Sequence, residues 1–308
     1  MNEFGLIQKI RKAAFLNHSE VLTGIGDDCA VVKSPRMNHV LLLTVDQVVE
    51  GVHFLAGTHF SKVGRKALAR SISDIAAMGG IPKYALLSLG LPKGISPKSV
   101  DQFYLGFLEL AHPYSVDLIG GDISKSLKGF FASVTVIGEA PQKEVILRKG
   151  AREGDFLFVT GRLGGSLLNH HLTFRPRINE ARWLAHAHIP SAMIDISDGL
   201  MGDLGHILDE SKVGAYLYLN QIPISKSALQ ISKGDSHKAL KKALWDGEDY
   251  ELLFASPLKD KKWVEKFKTK FKVDLSCIGE IVRGAPKICV KDEKGKTKEL
   301  SKKGFSHF

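Results

Sequence analysis

The sequence predicts an α/β (α+β) fold divided between two domains. Apolar runs of strand length alternate with stretches at helical spacing, the pattern of layered helices and sheets. At 308 residues the chain is longer than one hydrophobic core usually supports. Around residues 140–154 the pattern gives way to Pro, Lys, Arg and Gly. We therefore expect an N-terminal domain at 1–140 and a C-terminal α/β domain at 150–308.

The first half alternates apolar strands with helices. One apolar run ends at Asp46, and a helical pattern stops at Gly79-Gly80, as helices commonly do. Pro82 and Pro92 bound the next apolar run. Strands are predicted at 40–45, 84–91, 116–119 and 131–137, and helices at 62–78 and 100–111.

The second half continues the alternation after a glycine-rich turn at 161–165. Helices are predicted near 178–186 and 200–210, and strands at 155–160 and near 216–219, 250–254 and 275–281. No repeat of 20–50 residues and no low-complexity segment interrupts this order.

Composition narrows the classes of partner. The formal net charge is +10, and much of the basic excess lies late, in 259–272 and 291–303. Such runs indicate either a solvated basic surface or a field that gathers anionic substrates. The sequence shows no helix-turn-helix, RNP-type or zinc-finger pattern, so we expect no nucleic-acid partner.

Cysteine usage and hydropathy indicate the compartment. The three cysteines are odd in number and widely spaced, which argues against a disulfide framework and a structural zinc site. No apolar stretch approaches the ~18–20 residues of a membrane span. We therefore expect a cytoplasmic protein without a membrane partner.

Seven aspartates stand where strands or helices meet glycine-rich turns. Carboxylates in such number can share one site only around strong positive charge, and oxygen-only sites suit Mg²⁺. The pattern therefore predicts an enzyme that handles phosphate compounds through magnesium ions. The seven are Asp27, Asp28, Asp46, Asp74, Asp122, Asp195 and Asp198.

Each of these aspartates also has a simpler interpretation. Asp27, Asp28 and Asp198 lie beside glycine and could be turn formers. Asp46 follows a buried strand and Asp74 closes an apolar helix, where a carboxylate is unfavourable without a partner. Because both residues lie where a carboxylate is locally unfavourable, we expect them to have a functional role.

Four other residues keep two interpretations. His53 follows a strand, Arg148 lies in the inter-domain connection, and Glu248 precedes a strand; each could be structural or could contact a substrate. Phe305 could pack the C-terminal tail or stack on a ligand. The usual phosphate signature G-x-x-x-x-G-K-[ST] is absent.

Taken in order, the motifs resemble those of the thiamine-monophosphate kinases, in the family that includes aminoimidazole ribonucleotide synthetase and selenophosphate synthetase. They run from Gly24-Ile25-Gly26-Asp27-Asp28 through Ser73-Asp74-Ile75-Ala76-Ala77-Met78-Gly79 and Gly120-Gly121-Asp122 to Asp195-Ile196-Ser197-Asp198-Gly199 and Gly247-Glu248-Asp249-Tyr250-Glu251. The resemblance implies an aminoimidazole ribonucleotide synthetase-like fold. It also implies a homodimer whose N-terminal domains build a barrel-like core.

The resemblance implies a role for individual residues. The magnesium ions would be held by Asp28, Thr44, Val45, Asp46, Asp74, Asp122, Asp195 and Asp198. ATP would be contacted by Tyr104, Gly121, Asp122, Arg148 and Ser197. Thiamine monophosphate would be contacted by His53, Glu248 and Phe305.

The implied reaction is transfer of the ATP γ-phosphoryl group to thiamine monophosphate. The acceptor is a phosphate monoester, mostly dianionic at neutral pH, so it needs no general base or enzyme nucleophile. We expect direct in-line transfer without a phosphoenzyme, with several Mg²⁺ ions offsetting the repulsion between two polyanions. The alternatives are a sister activity in the same family, a non-catalytic nucleotide-binding protein and a basic nucleic-acid-binding module.

Overall fold

Two β-sheets with helices packed on them organise the chain, which confirms the predicted α/β class. The structure is a computed structural model and describes residues 3–14, 17–257, 261–291 and 297–302. Among these residues, no helix has both the length and the apolar character that a membrane crossing requires.

The N-terminal sheet has six strands in the order β1-β2-β3-β6-β4-β5. All neighbours are antiparallel except β4 and β5, which run parallel. The elements are α1 (Glu3–Ala13), β1 (Val21–Thr23), β2 (Ala30–Lys33), β3 (His39–Val49), α2 (Phe60–Ala77), β4 (Ile81–Pro92), α3 (Pro97–Ala111), β5 (Asp117–Ser126) and β6 (Phe131–Pro141).

All four strands predicted in this half are longer than predicted, and two of them continue through residues that indicated an end. β3 does not end at Asp46, because β6 pairs with it along its whole length, to Val49. β5 runs through Gly120-Gly121 to Ser126 for the same reason, since it pairs with β4 across those residues. Sequence signals for turns were overridden by the neighbouring strand in both cases.

The C-terminal sheet has seven strands in the order β13-β12-β9-β11-β7-β10-β8. Its elements are β7 (Phe156–Thr160), α4 (His170–Thr173), α5 (Ile178–His186), β8 (Ala192–Asp195), α6 (Leu200–Ser211), β9 (Gly214–Leu217), α7 (Lys226–Ile231), α8 (Ser236–Trp245), β10 (Leu252–Ser256), α9 (Lys261–Phe271), β11 (Leu275–Val282), β12 (Ile288–Lys291) and β13 (Thr297–Leu300). The strands predicted near 216–219 and 250–254 lie two residues away from the observed β9 and β10.

One hydrophobic core crosses between the two halves. It joins buried residues of α2 and the N-terminal sheet, such as Ile72 and Val134, to Phe158, Phe254 and Tyr250 of the C-terminal half. A second cluster, centred on Leu157 and Leu204, fills the other side of the C-terminal sheet. The halves therefore meet through buried apolar surface, which fixes helix α2 between them.

Helices α2 and α3 cross at unusually close range because a glycine lies on each at the contact. A Cβ at Gly64 would lie 1.9 Å from the carbonyl oxygen of Phe103, and one at Gly106 would lie 1.8 Å from that of Ser61. Neither position can hold a side chain unless the helices move apart.

We predict that Gly64→Ala destabilises the protein by about 1–3 kcal/mol, the usual cost of overpacking a core. Chemical denaturation followed by circular dichroism measures this difference. Gly205→Ala is the matched control, because the nearest atom to its new Cβ is in the flexible side chain of Lys302, at 3.3 Å. Equal stability of the two variants would contradict the close helix crossing.

Candidate active site

Three carboxylates from distant parts of the sequence meet where the two halves join. Oxygens of Asp28, Asp74 and Asp195 all lie within 4.8 Å of one another. Asp28 precedes β2, Asp74 lies in the last turn of α2, and Asp195 ends β8. The sequence predicted all three as metal ligands, and the fold brings them together.

Hydroxyl groups orient two members of this carboxylate cluster. Thr44 on β3 donates a hydrogen bond to Asp74, with 2.5 Å between the oxygens. Ser73 donates to Asp195 across the two halves, also at 2.5 Å. Because Ser73 and Asp74 are consecutive on α2, one turn of helix positions a carboxylate from each half.

The cluster holds more negative charge than its surroundings balance. Arg148 donates to Oδ1 of Asp28 through Nη2 at 2.5 Å and Nε at 3.2 Å. The other oxygen of Asp28, Oδ2, is buried and has no hydrogen-bond partner among the described residues. Arg148 therefore lies beside the cluster and satisfies only one of the two oxygens of Asp28.

The pKa values of all three carboxyl groups in the cluster are raised. Burial, followed by the charge of Asp46, raises the pKa of Asp74 well above its ordinary value. Burial, followed by the charge of Asp28, raises the pKa of Asp195 to about 7. Burial also raises the pKa of Asp28, although Arg148 opposes the shift. Oxygen-only ligands, an orphaned buried oxygen and uncompensated charge together fit a bound divalent cation.

Asp27 serves a local structural purpose in the same turn. Its carboxylate accepts a hydrogen bond from the backbone N–H of Asp28 at 3.0 Å and one from that of Arg148 at 3.2 Å. These contacts agree with the interpretation of Asp27 as a residue that forms the turn. The turn thereby links residues 27 and 28 to the inter-domain connection.

A second group of possible ligands lies at the beginning of α6. Asp198, Asp203 and His206 also place ligand atoms within 4.8 Å of one another. Asp203 accepts a hydrogen bond from the backbone N–H of Asp198 at 3.1 Å. The sequence reading included Asp198 but missed Asp203 and His206. The two residues are three positions apart and therefore share one face of a helix that follows an aspartate-rich turn. This spacing could have identified them from the sequence.

Asp46 lies beside the cluster and is paired with a residue that sequence reasoning missed. Its Oδ1 lies 3.2 Å from Nη2 of Arg70 on α2, and Nη1 of Arg70 donates to the backbone carbonyl of Gln47 at 2.7 Å. The charge of Asp46 raises the pKa of Asp28, Asp74 and Asp195. Asp46 is therefore electrostatically part of the site.

Other predicted residues lie farther away. Strand register connects Asp122 on β5 through Ser88 and Ser133 to Gln47 on β3. Three strand spacings separate Asp122 from β3, about 14 Å, and its side chain is exposed. Packing alone also requires glycine at position 121, because a Cβ on Gly121 would lie 1.8 Å from the carbonyl oxygen of Leu87.

Two further predicted residues also lie outside the carboxylate cluster. Tyr104 is a half-buried residue of α3 that packs on the core, with its ring against Phe103. Val45, on β3, exposes its side chain, so only its backbone could serve a metal.

A buried lysine joins the predicted substrate residues. The ammonium group of Lys66 on α2 contacts the carboxylate of Glu248 and donates to the backbone carbonyl of His53 at 2.7 Å. His171 lies 2.9 Å from the same ammonium group. Lys66 has no exposed side-chain surface, so this contact is a buried ion pair across the two halves. Phe305 lies outside the described residues.

Burial alone would raise the pKa of Glu248. The hydrogen bond to His171 and the charges of Lys66 and Arg70 outweigh burial and lower this pKa to about 2. Glu248 is therefore ionised at neutral pH.

The backbone around Glu248 is strained. Glu248 and Tyr250 both have left-handed backbone angles, with φ of 68° and 52°, which is unfavourable for side chains of this size. Between them, the carboxylate of Asp249 accepts hydrogen bonds from the N–H of Gly164, at 2.9 Å, and from Ser166. The N–H of Glu248 donates to the carbonyl of Ser197 at 2.7 Å. These contacts hold Glu248 towards α2.

Comparison with known protein families matches both halves of the chain. Residues 26–140 match the N-terminal domain of AIR synthase related protein, and residues 143–290 match the C-terminal domain. Together the two matches cover most of the chain.

Individual relatives agree with this result. The chain is 36% identical to the thiamine-monophosphate kinase of Buchnera aphidicola subsp. Acyrthosiphon pisum, covering 99% of this chain and 98% of that protein. It is 31% identical to the thiamine-monophosphate kinase of Escherichia coli, with 99% and 98% covered. A solved structure of AaThiL complexed with AMPPCP and TMP superposes with a TM-score of 0.84 at 33% identity, covering 100% and 97% of the two chains.

We predict that Mg²⁺ stabilises the protein, and more strongly at higher pH. Asp195 has a pKa of about 7 in the folded protein against an ordinary 3.8. Between these values the metal-free folded state holds a proton that the unfolded chain has released. The cluster's contribution to the free energy of unfolding therefore falls as pH rises from about 4 to about 7. Mg²⁺ favours the ionised carboxylates and opposes this fall.

Thermal unfolding with and without MgCl₂ at a series of pH values measures the effect. At about 100 times its Kd, Mg²⁺ adds about 2.7 kcal/mol, which for a chain of 308 residues shifts the midpoint by about 4 °C. Asp195→Asn should reduce the Mg²⁺ shift. A shift that is the same at pH 5 and pH 8 would contradict the role assigned to these carboxylates.

Proposed function

Because the chain belongs to the AIR synthase related family, and within it to the thiamine-monophosphate kinases, we propose that it transfers the γ-phosphoryl group of ATP to thiamine monophosphate, forming thiamine diphosphate. The observation that carries this proposal is the buried cluster of Asp28, Asp74 and Asp195, drawn from both halves of the chain. The AaThiL complex with AMPPCP and TMP supports the choice of donor and acceptor.

Several Mg²⁺ ions would be held, some by the carboxylate cluster and others by predicted ligands that lie farther from it. When bound, the ions neutralise charge between the two phosphate compounds and align these compounds for in-line transfer. The proposed ligands are Asp28, Thr44, Val45, Asp46, Asp74, Asp122, Asp195 and Asp198.

The chain's own residues then bind and orient the donor. Arg148 presents a guanidinium fork beside the cluster, and that geometry suits phosphate oxygens. ATP would also contact Ser197, Tyr104, Gly121 and Asp122. Because β5 is the outer strand of its sheet, Gly121 and Asp122 lie on an exposed surface, accessible to a ligand.

Glu248 and His53 would bind the thiamine end of the acceptor, together with Phe305. Thiamine carries a positively charged thiazolium ring, which the ionised carboxylate of Glu248, shared with Lys66, would attract. The acceptor phosphate is already anionic at neutral pH, so the transfer is direct and uses no protein nucleophile. A phosphoenzyme isolated after incubation with ATP alone would disprove this route.

Exposed apolar residues on the open face of the N-terminal sheet favour a homodimer. One face of this sheet packs on α2, whereas the other exposes Val45, Tyr84, Leu86 and Ile119. Contiguous exposed apolar surface of this kind marks interaction sites. A second copy of the chain, meeting this face with its own, would form the barrel-like core. The cytoplasmic location stays a prediction.

We predict that Asp74→Asn abolishes turnover and yet stabilises the metal-free protein. The amide keeps an acceptor for Thr44 but removes a buried charge whose pKa is strongly raised. Chromatography of thiamine diphosphate formed from ATP, Mg²⁺ and thiamine monophosphate should show a loss of at least about 1,000-fold, comparable to removal of a key electrostatic group.

Asp101→Asn is the matched control, because Asp101 is an exposed residue on α3. It should change neither rate nor stability. Near-normal turnover by Asp74→Asn would refute the role of the cluster. Absence of product from the unaltered protein, with ATP still bound, would instead favour a sister activity.

We predict that Leu86→Glu converts the dimer to monomers. Leu86 has 39% of its surface exposed on the open sheet face, where a second copy would cover it. A carboxylate buried without a partner at an interface is strongly unfavourable. Sedimentation equilibrium measures the mass of the assembly. Leu127→Glu, at a residue that is 92% exposed outside the strands, is the control and should leave the mass unchanged.

A further inference from the structure

Helix α2 carries four charged residues along one face, beginning with the exposed Lys62, and the other three run from the Glu248 contact to the carboxylate cluster. Lys66, Arg70 and Asp74 are spaced by four residues, which places them one above the other. Each interval spans about 6 Å along the helix axis. Lys66 contacts Glu248 at one end of the row, and Asp74 belongs to the carboxylate cluster at the other. Arg70 therefore lies between the proposed thiamine end and the proposed metal site.

The guanidinium of Arg70 is buried and incompletely bonded. Its side chain has 14% of its surface exposed, and its nearest carboxylate contact is the 3.2 Å approach of Nη2 to Asp46. Nη1 donates to the carbonyl of Gln47. Nε is buried and lacks a hydrogen-bond partner within the part of the chain that the structure describes. A buried donor without a partner is costly, which indicates that a ligand supplies one.

The proposed reaction places a phosphate near this position. Thiamine monophosphate bound at Glu248 must direct its phosphate towards the carboxylate cluster, because that cluster is where the transfer occurs. The path between them runs along α2 past Arg70. A guanidinium fork suits a phosphate, and its charge would attract the dianion that the surrounding aspartates repel.

We propose that Arg70 binds the phosphate of thiamine monophosphate and thereby makes the site select phosphorylated acceptors over free thiamine. This inference rests on the proposed function. It assigns to Arg70 a contact with substrate, beyond its pairing with Asp46.

The experiment compares the unaltered protein, Arg70→Gln and Arg70→Lys. Steady-state kinetics give KM for thiamine monophosphate and for ATP, and inhibition by unphosphorylated thiamine gives its Ki. For Arg70→Gln, KM for thiamine monophosphate should rise by about 10- to 100-fold, the loss of one charge-assisted hydrogen bond. KM for ATP and Ki for thiamine should change by less than about threefold, since neither ligand loses a contact.

Lys62→Gln is the matched control, because Lys62 is an exposed cation on the same helix. It should leave all three constants unchanged. Arg70→Lys keeps the charge without the fork and should raise KM for thiamine monophosphate by an intermediate factor. Melting curves identify a misfolded variant. If Arg70→Gln fails to fold, the KM of Arg70→Lys for thiamine monophosphate tests the inference instead.

Two results would overturn the inference. In the first, KM for thiamine monophosphate stays unchanged. In the second, the Mg²⁺ requirement and the KM for ATP rise together with it, which means that Arg70 acts only through Asp46. The unaltered protein separates this inference from the proposed function: if it forms no thiamine diphosphate, the function fails, whereas a normal rate with either result above removes only the role of Arg70.

Discussion

The burial of three carboxylates with too little positive charge is the constraint on which the rest of the structure depends. Asp28, Asp74 and Asp195 are ionisable groups held out of water, and the folded protein tolerates them by raising their pKa values. Such an arrangement is costly for a metal-free protein. The proposed function explains this cost, because a cation and its phosphate ligands would balance the buried charge.

The two halves of the chain are joined by polar contacts at both ends of this site. Ser73 reaches Asp195 from α2, and Lys66 reaches Glu248 from the same helix. Both contacts are buried or nearly so, and the apolar core that crosses between the halves lies around them. One helix therefore aligns Asp195 of the proposed metal site and Glu248 of the proposed substrate site, although both belong to the other half.

The sequence predicted the elements better than their interactions. The helix at α2 was predicted to within about two residues, because its apolar spacing and its glycine end are local signals. Asp46 and Asp74 were identified because they lie against local preference, whereas the aspartates at turns were identified through the motifs that contain them. Lys66, Arg70, Asp203 and His206 were missed, since a charged residue on a helix usually faces solvent and only tertiary packing buries these four. The extent of β5 was also out of reach, because its neighbour β4 decides it.

The tight crossing of α2 and α3 has a consequence for which acceptors the site can take. With Gly64 and Gly106 in contact with opposing backbone, α2 cannot slide along its partner without a clash. Lys66 and Asp74, which are eight positions apart, are then held at a fixed separation of about 12 Å along the helix axis. Under the proposed function, an acceptor whose cationic ring and phosphate are separated by a length unlike that of thiamine monophosphate would reach Glu248 or Arg70 but not both. The selectivity proposed for Arg70 would then also depend on the length of the acceptor, because the backbone of α2 fixes the spacing of the residues that bind it.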